Sequence, residues 1–205
     1  MNSKWIALGA LLLSACVAHD FKYTEPTQFT ELTNSKKNQK AQKYRLAEMV
    51  SGLSKNFFVI NNIDKDSGLI NISYTGNPEA YIDCGEIYSY VKDGRGERRY
   101  TFAGARAFER YEILDGADYA VIERKVSLDG RMNIVVSEIA PMETNVSVNT
   151  RYVVQVTADA QSYINGLTHF SNSLAFNTGG RDASPIGLTC SANGKFEEQV
   201  LGIVQ

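Results

Sequence analysis

Cys16 is the residue of this chain whose surroundings most clearly indicate a chemistry. It ends the segment Leu13-Ser14-Ala15-Cys16, which follows an apolar run that starts at Trp5. A thiol becomes a strong nucleophile once it is deprotonated. The apolar run is too short to span a bilayer as a helix, which takes about 20 residues. Lys4, this short apolar stretch and the small residues after it are together typical of a secretory signal peptide.

The segment Leu13–Cys16 resembles the lipobox of bacterial lipoproteins, in which one hydrophobic and two small residues precede an acylated cysteine. The resemblance implies that residues 1–15 are a signal peptide and that diacylglycerol is attached to Cys16 after cleavage. Acyl chains, at about 0.8 kcal/mol per buried methylene, would anchor the chain to a membrane. Val17 rather than Asp follows Cys16, which favours the outer membrane, and we expect its periplasmic face. The alternative is an ordinary signal peptide with a chance cysteine.

Cys84 and Cys190 are the two other cysteines of the chain. Two thiols in an oxidising compartment predict one disulfide. Such a bond would close a loop of about 100 residues, for which the chain-entropy model gives roughly 4.7 kcal/mol. Two buried free cysteines are the alternative. A disulfide over this separation also favours one cooperative unit.

The chain lacks the patterns of a metal or cofactor site. His19 and His169 are its two histidines, and neither has a partner at ligand spacing. The loop 64–68 places glycine at its fifth position rather than the sixth that a calcium loop requires. No phosphate-binding loop is present. We therefore expect no metal and no cofactor.

The patterns of nucleophilic catalysis are missing too, since the chain contains no G-x-S-x-G elbow. Paired carboxylates work at any sequence separation, so Asp83 with Glu86, or Glu123 with Glu138, are the alternatives. Surface charges on a sheet, paired across strands with Arg124 for example, explain these carboxylates more simply. We therefore predict a protein that is not an enzyme.

One cluster of arginines interleaved with aromatic residues could form a binding surface. Arginine and tyrosine are enriched among the residues that dominate binding energy at protein interfaces. The surface would fit another envelope protein or an anionic envelope polymer, and the alternative is a solvated basic hairpin. The formal charge of −2 argues against nucleic acid as a partner. The candidate binding residues are Arg95, Arg98, Arg99, Tyr100, Arg106 and Arg110.

The polar composition of residues 16–40 predicts a lipidated flexible tether, followed by one domain over residues 41–205. Apolar residues at i, i+3, i+4 and i+7 predict a helix from Asn38 to Leu53. The loop 64–68 then separates two strand-like runs and predicts a hairpin.

The later elements are predicted from alternation and turn signals. Residues 104–116 lack a clear period and predict a loop. Asp129-Gly130 is a strong two-residue hairpin signal, so Tyr119–Leu128 and Met132–Ile139 should be separate strands. With the alternating stretch around Val146–Val156, they predict a three-stranded meander. Residues 160–185 predict an exposed excursion, and a short helix with Phe196 and Val200 on its apolar side ends the chain.

The order of tether, helix, hairpin, meander and closing helix resembles the helix-grip domains of bacterial envelope lipoproteins, such as those in the lipoprotein components of the outer-membrane β-barrel assembly machinery. The likeness is strongest in Phe57–Ile60 and the hairpin that follows, and it carries over no functional residue. The expected fold class is α+β: an antiparallel sheet of meander and hairpins, with an N-terminal and a C-terminal helix packed on one face.

These observations predict a non-catalytic structural or interaction component of an envelope or secretion complex. A carrier of a lipid or another apolar ligand is the second hypothesis. A cell-envelope hydrolase is the third, and it would need paired carboxylates in a cleft.

The lipobox predicts that the mature protein begins at an acylated Cys16. Mass spectrometry of the N-terminal peptide from the membrane fraction should show the mass of the attached acyl chains. Cys16→Ser should remove that mass and release the protein from the membrane, because a hydroxyl does not replace the thiol in thioether formation. Wild-type protein with residues 1–15 intact and no acyl mass would contradict the assignment.

Overall fold

The computed structural model of the chain describes residues 17–26, 33–56, 58–185 and 187–204. Cys16 and the predicted signal peptide lie outside these residues, as does Phe57. The described part contains two α-helices, one 3₁₀ turn and thirteen strands. The elements are β1 (Ala18–Thr24), β2 (Ser35–Asn38), α1 (Gln42–Leu53), β3 (Val59–Asp64), β4 (Leu69–Gly76), the 3₁₀ turn (Pro78–Ala80), β5 (Ile82–Asp83), β6 (Glu86–Asp93), β7 (Gly96–Ala103), β8 (Phe108–Asp115), β9 (Asp118–Ala140), β10 (Glu143–Ser162), β11 (Gly166–Asn177), β12 (Arg181–Ala183), β13 (Thr189–Ala192) and α2 (Lys195–Leu201).

The strands form three antiparallel sheets. The large sheet has the order β11-β10-β9-β4-β3, with β2 also pairing β10 and β8 also pairing β9. The small sheet is β1-β6-β7, and the third sheet is β12-β13-β5. Antiparallel strands with two helices confirm the predicted α+β class. Within the described ranges, neither helix is long and apolar enough to cross a membrane.

The strands β9 and β10 dominate the large sheet, because they are 23 and 20 residues long. Side chains alternate between the two faces of a strand. In β9 every even position from Ala120 to Met132 and on to Val136 is buried, and β10 repeats the pattern through Val156. One face of this strand pair is therefore covered along most of its length.

The predicted hairpin at Asp129-Gly130 is wrong, and so is the three-stranded meander built on it. Residues 118–140 form one continuous strand, with Gly130 paired to Tyr74 on one side and to Tyr152 on the other. A Cβ atom at Gly130 would lie 2.9 Å from the Phe196 ring. Glycine is therefore required here for the close approach of a helix side chain, and a turn is not formed.

Two cores cover this face. The first contains Met49 of α1 and Phe196 of α2 together with buried residues of β9 and β10, and we call residues 127–140 of β9 and 143–155 of β10 the helix half. The second contains Ile87 and Phe102 of the small sheet together with Ile122 of β9. We call residues 118–126 of β9 and 156–162 of β10 the cleft half; most of its inward side chains belong to the second core or pack against it, while Val126 and Val156 belong to the first.

The predicted tether contains two strands. β1 pairs with β6 from Ala18, opposite Lys92, to Thr24, opposite Glu86, and β2 pairs with β10. The sequence of β1 lacks an apolar period because most of its side chains are exposed. Its pairing depends on backbone hydrogen bonds, which leave no trace in composition.

Two further segments that were predicted as irregular are strands. β8 occupies residues 108–115 and pairs with β9, with Tyr111 buried between charged neighbours that conceal the period. β10 continues into the predicted excursion as far as Ser162, and β11 pairs back along it. β11 buries only Leu174 and Phe176. Its polar composition is therefore that of an edge strand whose two faces are mostly exposed to solvent.

The predicted disulfide is present between Cys84 and Cys190, and both residues are fully buried. Cys84 lies between β5 and β6, and Cys190 lies in β13. The bond therefore joins the start of the small sheet to the third sheet, across a separation of 106 residues.

The close approach at Gly130 predicts a stability effect. Gly130→Ala should lower the free energy of unfolding by about 1–3 kcal/mol, because the added methyl group overpacks against Phe196. Urea denaturation of the oxidised full-length protein measures it. Gly94→Ala is the matched control, since a Cβ there meets nothing within 4 Å. An equal effect of the two substitutions would contradict the packing role of Gly130.

Candidate functional site

An open cleft of about 670 Å³ lies between the small sheet and the cleft half of β9 and β10. Ligand sites in proteins are typically concave, mostly apolar and about 300–1,000 Å³ in volume. Six strands and the segment before β13 contribute to its walls. The lining residues are His19, Asp20, Phe21, Tyr23, Ile87, Tyr111, Ile113, Leu114, Asp115, Ile122, Arg124, Val156, Ala158, Phe170, Gly187 and Leu188.

One wall of the cleft is held by Tyr23 of β1. Its hydroxyl donates to the Thr189 carbonyl oxygen at 3.0 Å and accepts from the Thr189 backbone N–H at 2.9 Å. Burial raises the pKa of the Tyr23 hydroxyl, so the group stays protonated and keeps both bonds. This contact connects the edge strand of the small sheet to β13.

The floor of the cleft is apolar because alternate residues of neighbouring strands face the same side. Its apolar side chains come from Ile122 of β9, from Val156 and Ala158 of β10, and from Tyr111 and Ile113 of β8. These side chains also belong to the second core or pack against it, apart from Val156, which is counted with the first.

Arg124 is a charged residue within this apolar floor, and only 4% of it is exposed. Its Nη2 donates to the Gly104 carbonyl oxygen, but its buried Nη1 has no hydrogen-bond partner among the described residues. Burial lowers the pKa of Arg124, partly offset by Tyr111 and Tyr23. Burial likewise raises the pKa of Tyr111. The cleft therefore contains a cation whose hydrogen-bonding capacity is not filled by the protein.

Arg124 was expected to pair with a carboxylate on the sheet surface, and that expectation is wrong. A signal for its burial is present in the sequence, because Arg124 is in phase with Ala120, Ile122, Val126 and Leu128. These alternate positions of one strand all face the core. An arginine in the inward phase was the available indication of the site.

Asp118, at the turn between β8 and β9, contacts a second turn of the large sheet. Its carboxylate accepts from the Ser162 hydroxyl at 2.7 Å, the Asn165 side-chain amide at 2.8 Å and the Ile164 N–H at 3.2 Å. These bonds join the β8–β9 turn to the β10–β11 turn. Beyond them, Tyr163 is 87% exposed, and Ile164 and Leu167 are also largely exposed.

The structure gathers four of the six candidate binding residues on the β6–β7 hairpin. Arg98 contacts Asp93 at 2.7 Å and Glu112 at 2.5 Å, and Arg95 contacts the same two carboxylates. These contacts hold the pKa of Asp93 well below its usual range. The other two members are Arg99, which pairs with Glu97, and Tyr100, which packs against the second core.

Arg106 and Arg110 lie away from that hairpin turn. Arg106 follows β7 at its other end and pairs with Glu79 and Glu109, while Arg110 on β8 pairs with Glu123. Each candidate arginine thus has at least one carboxylate partner, and exposed pairs of this kind contribute little energy. A binding role for this set stays a prediction.

The histidines do not approach a metal-ligand set in the described ranges. No group of three or more His, Cys, Asp and Glu side chains there could hold a metal ion. His169 contacts Asp159 through Nδ1 at 2.6 Å, and His19 lines the cleft.

Comparison with known proteins places this chain in no family. No protein-family model, no curated protein sequence and no solved structure matches it. The lipobox and the helix-grip likeness therefore stay resemblances, and the cleft is the feature of the described residues that bears on function.

The ties at Asp118 predict a pH-dependent turn. Hydrogen bonds, chiefly from Ser162, lower the pKa of Asp118. Stabilisation by this carboxylate is therefore present above the unfolded-state pKa of about 3.9 and is lost as pH falls through the lower, folded-state pKa. Amide hydrogen exchange corrected for intrinsic rates should show Ile164 losing protection in that acid range.

Asp118→Asn should lower the protection of the Ile164 amide at neutral pH, because a neutral amide oxygen is a weaker acceptor. The amide also donates to the Ser162 hydroxyl at 3.1 Å, and that hydroxyl is itself held by the Asp118 carboxylate, so both acceptors are weakened. Asp66→Asn, in the exposed turn between β3 and β4, is the control and should change nothing at Ile164. Equal protection in wild type and Asp118→Asn would refute the role of Asp118.

Proposed function

We propose that this protein is a lipid-anchored, non-catalytic envelope protein whose domain binds an apolar ligand, such as an acyl chain, in the cleft. The observation that carries the proposal is the open apolar cleft of about 670 Å³ over the cleft half of the large sheet. A ligand that covers the apolar lining of such a cleft removes apolar surface from water, which is favourable. The predicted cell-envelope hydrolase ranks behind it, because apolar side chains dominate the floor.

The predicted anchor supports this reading. Cys16 precedes His19 of the cleft by three residues, which span at most about 10 Å when fully extended. An acylated Cys16 would thus hold the cleft mouth beside the membrane, where acyl chains are abundant. We propose that the protein is anchored at the periplasmic face of the outer membrane.

The helices contribute by closing the other half of the sheet. We infer that α1 and α2 cover the same face of the helix half. Leu46 and Met49 of α1 belong to one buried core with Phe196 and Val200 of α2, which supports this arrangement. On this view the cleft is the part of the face that the helices do not reach.

A structural component of an envelope or secretion complex is the second candidate. The exposed apolar side chains at the β10–β11 turn favour it, since Tyr163, Ile164 and Leu167 present apolar surface to solvent. The candidate arginines could add contacts to an envelope protein or an anionic envelope polymer. Co-purification of larger envelope proteins after mild detergent extraction would support this candidate.

Filling the cleft tests the carrier proposal. Full-length protein in vesicles is irradiated with a photoreactive alkyl probe, and labelled peptides are mapped. We expect wild type to be labelled on β8, β9 and β10 around the floor. Ala158→Trp should reduce that labelling several-fold, because Ala158 lines the cleft and an indole there would occupy part of its volume.

Ala103→Trp is the matched control, since Ala103 is exposed on β7 and does not line the cleft. It should leave the labelling of the floor unchanged. Labelling that is absent from the floor in wild type, or that Ala158→Trp leaves intact, would exclude the carrier function.

A further inference from the structure

We propose that the ligand of the cleft is an anionic amphiphile, whose acidic head group is received by Arg124 while its alkyl chain lies on the apolar floor. The proposal rests on the carrier function proposed above and names the chemical class of its ligand. It is carried by the position of one buried, incompletely bonded cation in an apolar cleft.

Arg124 has a hydrogen-bond donor that the described residues leave without an acceptor. A guanidinium has five N–H donors and accepts nothing. The structure gives Arg124 a hydrogen bond from Nη2 to the Gly104 carbonyl oxygen, and its buried Nη1 has no partner among the described residues. A buried donor without a partner costs the full desolvation of that group. An oxygen acceptor supplied by a ligand would remove this cost.

Arg124 also lacks a counter-charge, because no carboxylate of the described residues forms an ion pair with it. The fully buried Arg45 differs in this respect, because its Nη1 lies 2.6 Å from the Glu48 carboxylate. The two buried arginines of this domain are thus treated differently. An anionic ligand would supply to Arg124 what Glu48 supplies to Arg45.

The titratable groups around the guanidinium of Arg124 do not neutralise its charge. Tyr23 and Tyr111 are the titratable groups that influence it, and burial raises the pKa of both hydroxyls, which stay neutral. Asp20, Asp115 and His19 also line the cleft, and none of them pairs with Arg124. Its positive charge therefore stays uncompensated within an apolar site, where a charge-assisted hydrogen bond is strong.

Carboxylate and phosphate head groups share the required chemistry, since both present anionic oxygens to a guanidinium. The source is either a fatty acid or a lipid phosphate. Nη1 is buried beneath neighbouring atoms, so the head group reaches it as side chains of the cleft change rotamer, which is common at binding sites.

The experiment compares photoreactive derivatives of dodecanoate, dodecyl phosphate and dodecanol, which share one chain and differ in the head group. Full-length protein in vesicles is irradiated at alkaline pH with each probe at equal membrane concentration. We expect wild type to take up at least one of the acids about tenfold better than the alcohol, as one charge-assisted hydrogen bond would give. The acid that is preferred identifies the source.

Arg124→Met should bring the ratio of acid to alcohol close to one while leaving the labelling by dodecanol in place. Arg124→Lys should keep part of the preference, because the charge remains. Arg131→Met is the matched control, since Arg131 is exposed on β9, pairs with Asp129 and does not line the cleft. It should keep the full ratio.

The outcomes separate the two proposals. Labelling of the floor by all three probes with a wild-type ratio near one overturns the anionic ligand and leaves the carrier function standing. Labelling of the floor by none of them overturns both. A preference that survives in Arg124→Met also overturns the role of Arg124. Should Arg124→Met fail to fold, the wild-type ratio and Arg124→Lys still decide the matter.

Discussion

The fold depends on one constraint, which is the need to cover a single long apolar face. β9 has 23 residues, so at about 3.4 Å per residue it is far longer than the 12-residue helix α1, which rises about 1.5 Å per residue. Each long strand also has two partners along its outer edge: β4 and β8 share β9, and β2 and β11 share β10. Two apolar cores lie along this face, and residues of the second core line the cleft.

Covalent and polar contacts hold the small sheet to the third sheet at one place. The disulfide joins Cys84, just before the small sheet, to Cys190 of β13. The Tyr23 hydroxyl exchanges two hydrogen bonds with Thr189, the neighbour of Cys190. The small sheet is thereby fixed along one side, and Ile87 and Phe102 pack it against Ile122 of the cleft half. Ile87 and Ile122 also line the cleft, so the same packing positions its walls.

Sequence patterns predicted the elements whose signals are local and missed those set by distant partners. α1 ends at Leu53 as its apolar spacing predicts, and β3 and β4 form the predicted hairpin. Asp129-Gly130 is a turn signal that pairing with β4 and β10 overrides. The edge strands β1 and β11 are mostly exposed on both faces, so no apolar period could reveal them. Both of these edge strands line the cleft, so the sequence contained no indication of it apart from Arg124, which alternates with the buried residues of β9.

Two buried charged groups, Glu197 of α2 and Arg124 of β9, differ in the hydrogen-bond partners that the described residues give them. Glu197 is fully buried, but it accepts from the Tyr152 hydroxyl at 2.9 Å and from the Thr178 hydroxyl at 2.7 Å. It also lies in the first turn of α2, where the helix dipole favours a negative charge. Among the described residues, Arg124 has no comparable set of partners. Because a buried charge is costly unless it is paired, an anionic ligand would give Arg124 the kind of partner that the two hydroxyl groups give Glu197.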